Sequence, residues 1–370
     1  MIMVIRISLF CLVLIVFISS CKNDDDPVSS NEPNVESMRL AKITAINQNN
    51  SFVDAKGDVF FPWGYNYTNP EIIGLIEDNW STESTWDIIK EDFVEMKGYA
   101  ANIVRVHLQY NKFMIDADTP DPMALQRLQR LVKIAEDTGL YLDITGLAAY
   151  RKSDSPVWYD NLSDTERWET HAIFWRNIAG AVGDSEAVFA FNLMNEPVVA
   201  VGCDGTSECE WSPGNDFGGF HFIQNIARDS NLTFDEGIRN WTTQLTAAIR
   251  EEDPTTMITV GFLGLGPISR FADDYDYLSL HTYPKSGEIQ VAVDRVINST
   301  SNKPLILEET GNLHCTIPEL QSFISQIDGH YDGLMGHYFG KTLEEMQASG
   351  TFVDANHKNL VEFIIANDPN

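Results

Sequence analysis

Two segments run an apolar stretch straight into carboxylates: FNLMNEP at Phe191–Pro197 and PLILEETG at Pro304–Gly311. Two acids held rigidly across a cleft can divide the work of breaking an acetal. One protonates the leaving oxygen while the other attacks, or activates water, from the opposite side. Strand ends supply the rigidity, and other suitable side chains stand in comparable places: Arg105 and His107, Asn195 beside Glu196, and His281 with Tyr283. The cysteines show no metal-ligand spacing, and chemistry of this kind calls for no metal and no organic cofactor.

The elements that must hold these residues alternate between strand-like and helix-like segments, the pattern of a parallel sheet with crossover helices. Eight strands are predicted, at Val59–Tyr65, Asn102–His107, Leu140–Thr145, Val188–Asn195, Met257–Gly261, Tyr277–His281, Leu305–Glu309 and Gly333–Tyr338. Most are continuous apolar runs, as expected where both sheet faces are covered. Phe234, Ile238, Trp241, Leu245 and Ile249 form one stripe at the helical period behind a Thr233/Glu236 capping box, and Ser163 with Glu166 opens the helix carrying Trp168 and Trp175 in the same way. The expected fold is α/β, a single-domain (β/α)8 TIM barrel. In that fold the C-terminal strand ends form the active face, and the reactive residues all fall there.

A formal net charge of −29 argues against nucleic acid or an anionic membrane surface as partner, and is compatible with a neutral polysaccharide or oligosaccharide. At the N-terminus, Arg6 precedes an uncharged run over Ile7–Ile18 that ends in small residues before Cys21. This run is too short for a comfortable membrane span and reads as a signal peptide over 1–20. The junction resembles a lipobox, which implies lipidation at Cys21. The polar, acidic 21–44 that follows resembles the surface-export tether of Bacteroidetes lipoproteins. An outer-membrane protein facing the cell surface, touching the membrane only through its lipid, is therefore expected, with 45–370 as the catalytic domain and a monomer as the working unit. Cys203 and Cys209 are placed for a small disulfide in an exported protein, with Cys315 as an alternative partner.

On these motifs the chain resembles the family 5 glycoside hydrolases. Asn102–Arg105 resembles the second-strand motif whose Arg orders the nucleophile. Asn195-Glu196-Pro197 resembles the Asn-Glu-Pro signature, which implies Asn195 at the sugar 2-hydroxyl and Glu196 as acid/base. His281-Thr282-Tyr283 resembles the sixth-strand His-x-Tyr, with Tyr283 on the nucleophile and His281 lining the catalytic subsite. Glu309-Thr310-Gly311 resembles the nucleophile's Glu-x-Gly. Because successive strand side chains point to opposite faces, only one of Glu308 and Glu309 is expected to face the cleft. The family register selects Glu309 and leaves Glu308 paired with a nearby cation. Arg105 and Tyr283 would keep Glu309 ionised, while Glu196 would stay protonated to donate.

Two departures from the family pattern bear on substrate. Thr145 stands where many members have a His, and the eighth strand lacks the usual Trp, leaving His337, Tyr338 or Phe339 to replace it. Candidate sugar platforms are Trp63, Tyr65, Tyr67, Trp158, Tyr159, Trp211 and Phe217–Phe222, and His221 is a further candidate sugar contact. The long 198–232 loop is read as a subsite wall. The expectation is a retaining, endo-acting hydrolase of a β-1,4-linked backbone. Mannan stands ahead of glucan because HTYP and LEETG resemble the corresponding β-mannanase strings. Exo action within the same clan, or glycan binding without cleavage, are the alternatives.

Overall fold

The computed structural model describes residues 40–46, 50–68, 75–200, 211–212, 220–228 and 231–370. Cys21, Cys203, Cys209, Phe217 and most of the tether lie outside them. A short antiparallel sheet, β1 (Thr44–Ile46), β2 (Ser51–Val53) and β3 (Val59–Phe60), precedes the barrel. The barrel strands are β4 (Trp63–Tyr67), β5 (Ile103–Gln109), β6 (Tyr141–Ala148) and β7 (Val188–Asn195), then, after a parallel side pair β8 (Pro197–Val199) and β9 (Gln224–Ala227), β10 (Met257–Leu263), β11 (Leu278–His281), β12 (Leu305–Thr310) and β13 (Gly333–Phe339). All eight neighbouring pairs are parallel, and β13 closes on β4. The expected (β/α)8 fold is thus observed, and nearly every barrel-strand residue is buried, as the apolar runs required.

Helices α1 (Glu83–Gly98), α2 (Tyr110–Phe113), α3 (Pro122–Thr138), α4 (Val157–Asp160), α5 (Asp164–Val182), α6 (Phe234–Glu252), α7 (Ile289–Ser299), α8 (Ile317–Gln326), α9 (Leu343–Ser349) and α10 (Phe352–Ala366) surround the strands, with a 3-10 segment at Ile268–Asp274 after β10. Both expected capping boxes form, Ser163 with Glu166 on α5 and Thr233 with Glu236 on α6. The α6 stripe of Ile238, Trp241, Leu245 and Ile249 is fully buried.

The first strand differs from expectation. Val59–Phe60 belongs to the small sheet, and the barrel strand begins after Pro62, which has no N–H to give a ladder. Inside β4, Gly64 lets the backbone close on β5: a Cβ there would lie 1.8 Å from the Ile103 carbonyl oxygen. The packed chain also begins ahead of residue 45. Ile43 is buried, and Lys42 Nζ donates to Thr256 Oγ1 at 2.6 Å. Phe52 seats against Phe189 and Tyr277, at ring separations of 5.2 and 5.3 Å, so the small sheet plugs the N-terminal mouth of the barrel.

Candidate active site

Arg105, on the second barrel strand β5, is the hub. Its side chain is fully covered, and every nitrogen has work. Nε donates to Thr145 Oγ1 at 2.8 Å on β6, and Nη1 to Asn66 Oδ1 at 2.9 Å on β4 and to Glu309 Oε1 at 2.5 Å on β12. Nη2 donates to Asn195 Oδ1 at 2.9 Å on β7 and stands 3.3 Å from Glu308 Oε2. Five planar donors suit a fixed fork of partners, which a lysine could not serve. Thr145, where a His was the familiar residue, is therefore a guanidinium support.

Glu309 also accepts from Tyr283 Oη at 2.8 Å. Across from it Glu196 ends the fourth strand in the left-handed region, at φ 47°, with its N–H on the Gly261 carbonyl at 2.8 Å. A non-glycine residue in that region is strained unless its surroundings hold it there, and such residues concentrate at functional sites. Oxygens of Glu196 and Glu309 and a ring nitrogen of His281 lie within 4.8 Å of one another. One oxygen of each acid thus approaches the other closely, as in double-displacement sites, whose carboxyl groups stand ~5–5.5 Å apart, and not as in sites that leave ~6.5–9.5 Å for a water. These atoms are engaged by Arg105, Tyr283 and each other, with Arg105 Nη1 2.5 Å and His281 Nδ1 3.6 Å from Glu309 Oε1.

Burial alone would push the Glu309 carboxyl up, but the His281, His337 and Arg105 charges win and hold it well below the usual carboxylate range. Burial and the neighbouring Glu309 anion push Tyr283 well up, so it stays a phenol and donates. Burial together with Arg105 pushes His107 well down. Its ring is neutral, with Nδ1 2.6 Å from Tyr150 Oη.

A sequence model of the Cellulase family, glycosyl hydrolase family 5, matches residues 53–322, well over half the chain. The chain belongs to family 5. No curated protein sequence matches this glycoside hydrolase. Among solved structures, an exo-β-1,4-mannosidase from an Opitutaceae bacterium is 18% identical with a TM-score of 0.64, over 87% of this chain and 62% of that one. A β-mannanase from the blue mussel Mytilus edulis is 14% identical with a TM-score of 0.60, over 90% and 97%. A β-glucanase from Saccharophagus degradans is 16% identical with a TM-score of 0.55, over 93% and 99%. At these identities the likeness is one of fold.

The family 5 chain breaks the simple alternation expected at its seventh strand. β11 pairs with β12 as Leu280 to Leu307 and then His281 to Glu309, skipping Glu308. This irregularity lets both acids reach the barrel interior: Glu308 is fully buried on Arg105, with Asn192 Nδ2 at 2.8 Å and His281 Nε2 at 3.0 Å, while Glu309 keeps an edge to the cleft. Pairing of Glu308 with a cation, covered from the cleft, is as expected; its place inside the barrel beside Glu309, and not on the opposite face of the strand, is not. His281 also departs from expectation. Its side chain is fully covered and bridges Glu196 Oε1, 2.9 Å from Nδ1, to Glu308, so it supports the acids and does not line the sugar subsite.

Several expected platforms are packing residues of the family 5 barrel. Trp63, Tyr65 and Tyr67 lie on β4 itself and share the face turned outward to the helices. Trp63, 1% exposed, donates Nε1 to the Ile364 carbonyl at 3.0 Å, and Tyr67 donates to Asp92 at 2.5 Å. Tyr159 is buried against Tyr110 and bonded to His171, and Trp158 packs on Tyr110. Trp211, 8% exposed, is stacked between the guanidinium groups of Arg167 at 3.6 Å and Arg228 at 3.8 Å, leaving no face for a sugar. On the eighth strand, His337 stands edge-on to Tyr283 with ring centres 5.9 Å apart, occupying the place beside Glu309. Tyr338 packs on His357 of α10 at 4.1 Å and Phe339 is buried against Tyr65. Asn195 Nδ2 donates to the Phe222 carbonyl at 3.2 Å, which ties the described part of the long loop to the site. Unforeseen members are Asn66, Asp143, Asn192 and Tyr150, all buried. Their one signal in the sequence was a polar residue inside an apolar strand, or, for Tyr150, just past one.

Proposed function

We propose that this enzyme is a retaining, endo-acting hydrolase of a β-1,4-linked polysaccharide backbone, with β-mannan ahead of β-glucan. Glu309 is the nucleophile and Glu196 the acid/base. The observation that carries the reading is Glu309 clamped by Arg105 and Tyr283 directly across from Glu196. Glu309 attacks the anomeric carbon as the glycosidic bond breaks, and Glu196 gives its proton to the departing oxygen. Glu196 then takes a proton from water, whose oxygen displaces Glu309 and restores both carboxyls. His107, Asn195 and His337 line the catalytic subsite.

Support for mannan comes from the two mannan-active proteins that the chain resembles in fold and from the HTYP and LEETG strings. The exo-mannosidase likeness favours exo action as the second reading. Digestion of mannan, glucomannan, xyloglucan, xylan and mixed-linkage glucan, with product sizing, tests the set. An oligosaccharide ladder from mannan is expected. Monomer release alone moves the enzyme to the exo class, and no product from any substrate makes it a glycan binder. The proposal includes a lipid at Cys21, an outer-membrane position facing outward, and a monomeric enzyme. Cys21→Ala should then leave the membrane fraction, and a variant that stays there overturns the anchor.

A further inference from the structure

Directly beneath Glu196 and Glu309 lies a pair of carboxyls that bond making and breaking leave unused. Glu308 and Asp143 are both fully buried. Glu308 Oε2 receives Asn192 and His281 and faces Arg105, while Asp143 Oδ2 receives Tyr277 Oη at 2.9 Å. One oxygen on each remains without any donor: Glu308 Oε1 and Asp143 Oδ1. The two side chains are in hydrogen-bond contact with each other. Two buried carboxylates in contact do not both ionise, and an unsatisfied buried oxygen is expensive. A single proton between the two orphan oxygens removes both difficulties.

Which carboxyl holds the proton follows from the neighbours. Glu308 has a guanidinium, an imidazole and an amide; Asp143 has a phenol and, next to it, an anion. We propose that Asp143 carries the proton and donates it from Oδ1 to Glu308 Oε1, so that the pair presents a fixed anion to His281 and holds that ring doubly protonated, with Nδ1–H aimed at Glu196. Asp143 and Glu308 are thus positioning residues. The proposal rests on the roles given above to Glu196 and Glu309.

The groups around the pair, His281 and Arg105 come from the strands that enclose them. They are Asn66 from β4, Arg105 and His107 from β5, Thr145 from β6 with Tyr150 just beyond it, and Asn192 and Glu196 from β7. Tyr277 and His281 come from the β11 segment with Tyr283 after it, Glu309 from β12 and His337 from β13. β10 contributes Gly261, where a Cβ would lie 2.7 Å from His281 Nε2 and 2.8 Å from Glu308 Oε2. Burial, reinforced by the Glu308 charge, pushes Asp143 well up. Burial would also raise Glu308, but Arg105 and His281 hold it below the usual range. For His281 burial works downward, and the Glu309 charge with the hydrogen bonds to Glu196 and Glu308 overcomes it, pushing the ring up to about 9.

The isosteric variants Asp143→Asn and Glu308→Gln in the full chain separate the possibilities. An asparagine amide still donates to Glu308 and still accepts from Tyr277, whereas a glutamine offers His281 no charge. Glu308→Gln should lower kcat/KM by roughly 10- to 100-fold, the scale of a charged hydrogen bond. It should also displace the alkaline limb of the pH profile. Asp143→Asn should lose at least about tenfold less and keep the limb in place. Nitrogen NMR of 15N-histidine protein reads the ring without reference to turnover: the His281 midpoint, near about 9 in the wild type, should fall in Glu308→Gln and hold in Asp143→Asn. If Asp143→Asn displaces the midpoint as far as Glu308→Gln does, or Glu308→Gln leaves it in place, the proposal is wrong. Should Glu308→Gln fail to fold, Asp143→Asn decides alone, a displaced midpoint refuting the proposal and a retained one supporting it. Should Glu309→Ala or Glu196→Ala leave activity intact, the roles of those acids fail, and the histidine titration still judges the pair.

Discussion

The two ends of one barrel are built from the same eight strands and solve opposite problems. At the N-terminal mouth, Ile103, Tyr141, Phe189, Met257, Ile306 and Met335 meet Phe52 from the small sheet in an apolar plug. At the C-terminal mouth the same strands carry Arg105, Asp143, Glu196, His281, Glu308 and Glu309, all buried. Burying a charge is costly unless it is paired and hydrogen-bonded, and nearly every polar atom of the upper set has a partner. One end is stable because it excludes water. The other is stable because each charge answers another, and it can do chemistry because Glu196 and Glu309 keep an edge to the cleft.

The largest expected effect therefore lies at the upper end and is catalytic. Glu309→Ala should remove turnover beyond the ~10²–10⁴-fold typical of an acid–base group, with circular dichroism unchanged and azide restoring cleavage with inverted anomeric outcome. Glu196→Ala should fall within that range on polysaccharide. On aryl glycosides with good leaving groups it should form the glycosyl-enzyme and then stall, visible by mass spectrometry as a covalent adduct. Wild-type turnover by either variant breaks the contrast between the ends.

The lower end should fail in the other currency. Phe52→Ala removes a fully buried ring from the plug, and such truncations cost about 3–5 kcal/mol. Denaturant unfolding should register that loss, while kcat per folded molecule, measured well below the melting point, stays near wild type. A fall in kcat with unchanged stability would mean that the two ends are not separable.

How far the sequence reveals each end follows from the same contrast. The barrel and its strand order were legible because apolar runs alternate with helical stripes, and Arg105, Asn195, Glu196, Tyr283 and Glu309 because motifs placed them at strand ends. Glu308 was legible as a cation-paired acid covered from the cleft, but its place inside the barrel was not, because strict alternation ignores an irregular step between β11 and β12. Trp63 and Trp211 were misread because an aromatic ring near a strand end looks alike in sequence whether it faces the cleft, the helices or two arginines. Asn66, Asp143 and Asn192 were hidden for a physical reason: a buried polar residue inside a strand gains its meaning from partners on other strands, which closure of the barrel alone brings together.

Gly261 sharpens the contrast from β10. Its missing side chain leaves room for the charges: a Cβ would come within 2.7 Å of His281 Nε2, 2.8 Å of Glu308 Oε2 and 2.9 Å of Arg105 Nη2. Gly261→Ala should cost about 1–3 kcal/mol of stability, as overpacking does. It should also lower kcat at least about tenfold by displacing the guanidinium from Glu309. Unchanged kinetics would show that the network tolerates movement which the geometry does not allow.

The smallest effect expected comes from an acid at the same end that lacks a cation of its own. Glu77 is buried in the 3-10 turn after β4, accepting the Gln109 N–H at 2.8 Å, while Arg151 spends its charge on Asp78 and Asp154. Burial, only partly offset by the Gln109 hydrogen bonds, pushes Glu77 up to about 7, the reverse of what happens to Glu309 beside Arg105. The folded protein thus holds this proton more tightly than the unfolded chain. That contribution to stability is fully present below the ordinary glutamate pKa of about 4.3 and is lost as pH rises through about 7. Glu77→Gln removes the titration. Relative to wild type its stability should therefore rise between about pH 4 and pH 8, by no more than about 4 kcal/mol, and the two proteins should differ least at the acid end. Denaturant unfolding at a series of pH values measures the difference directly, and parallel curves for the two proteins would mean that Glu77 is ionised in the fold despite its burial.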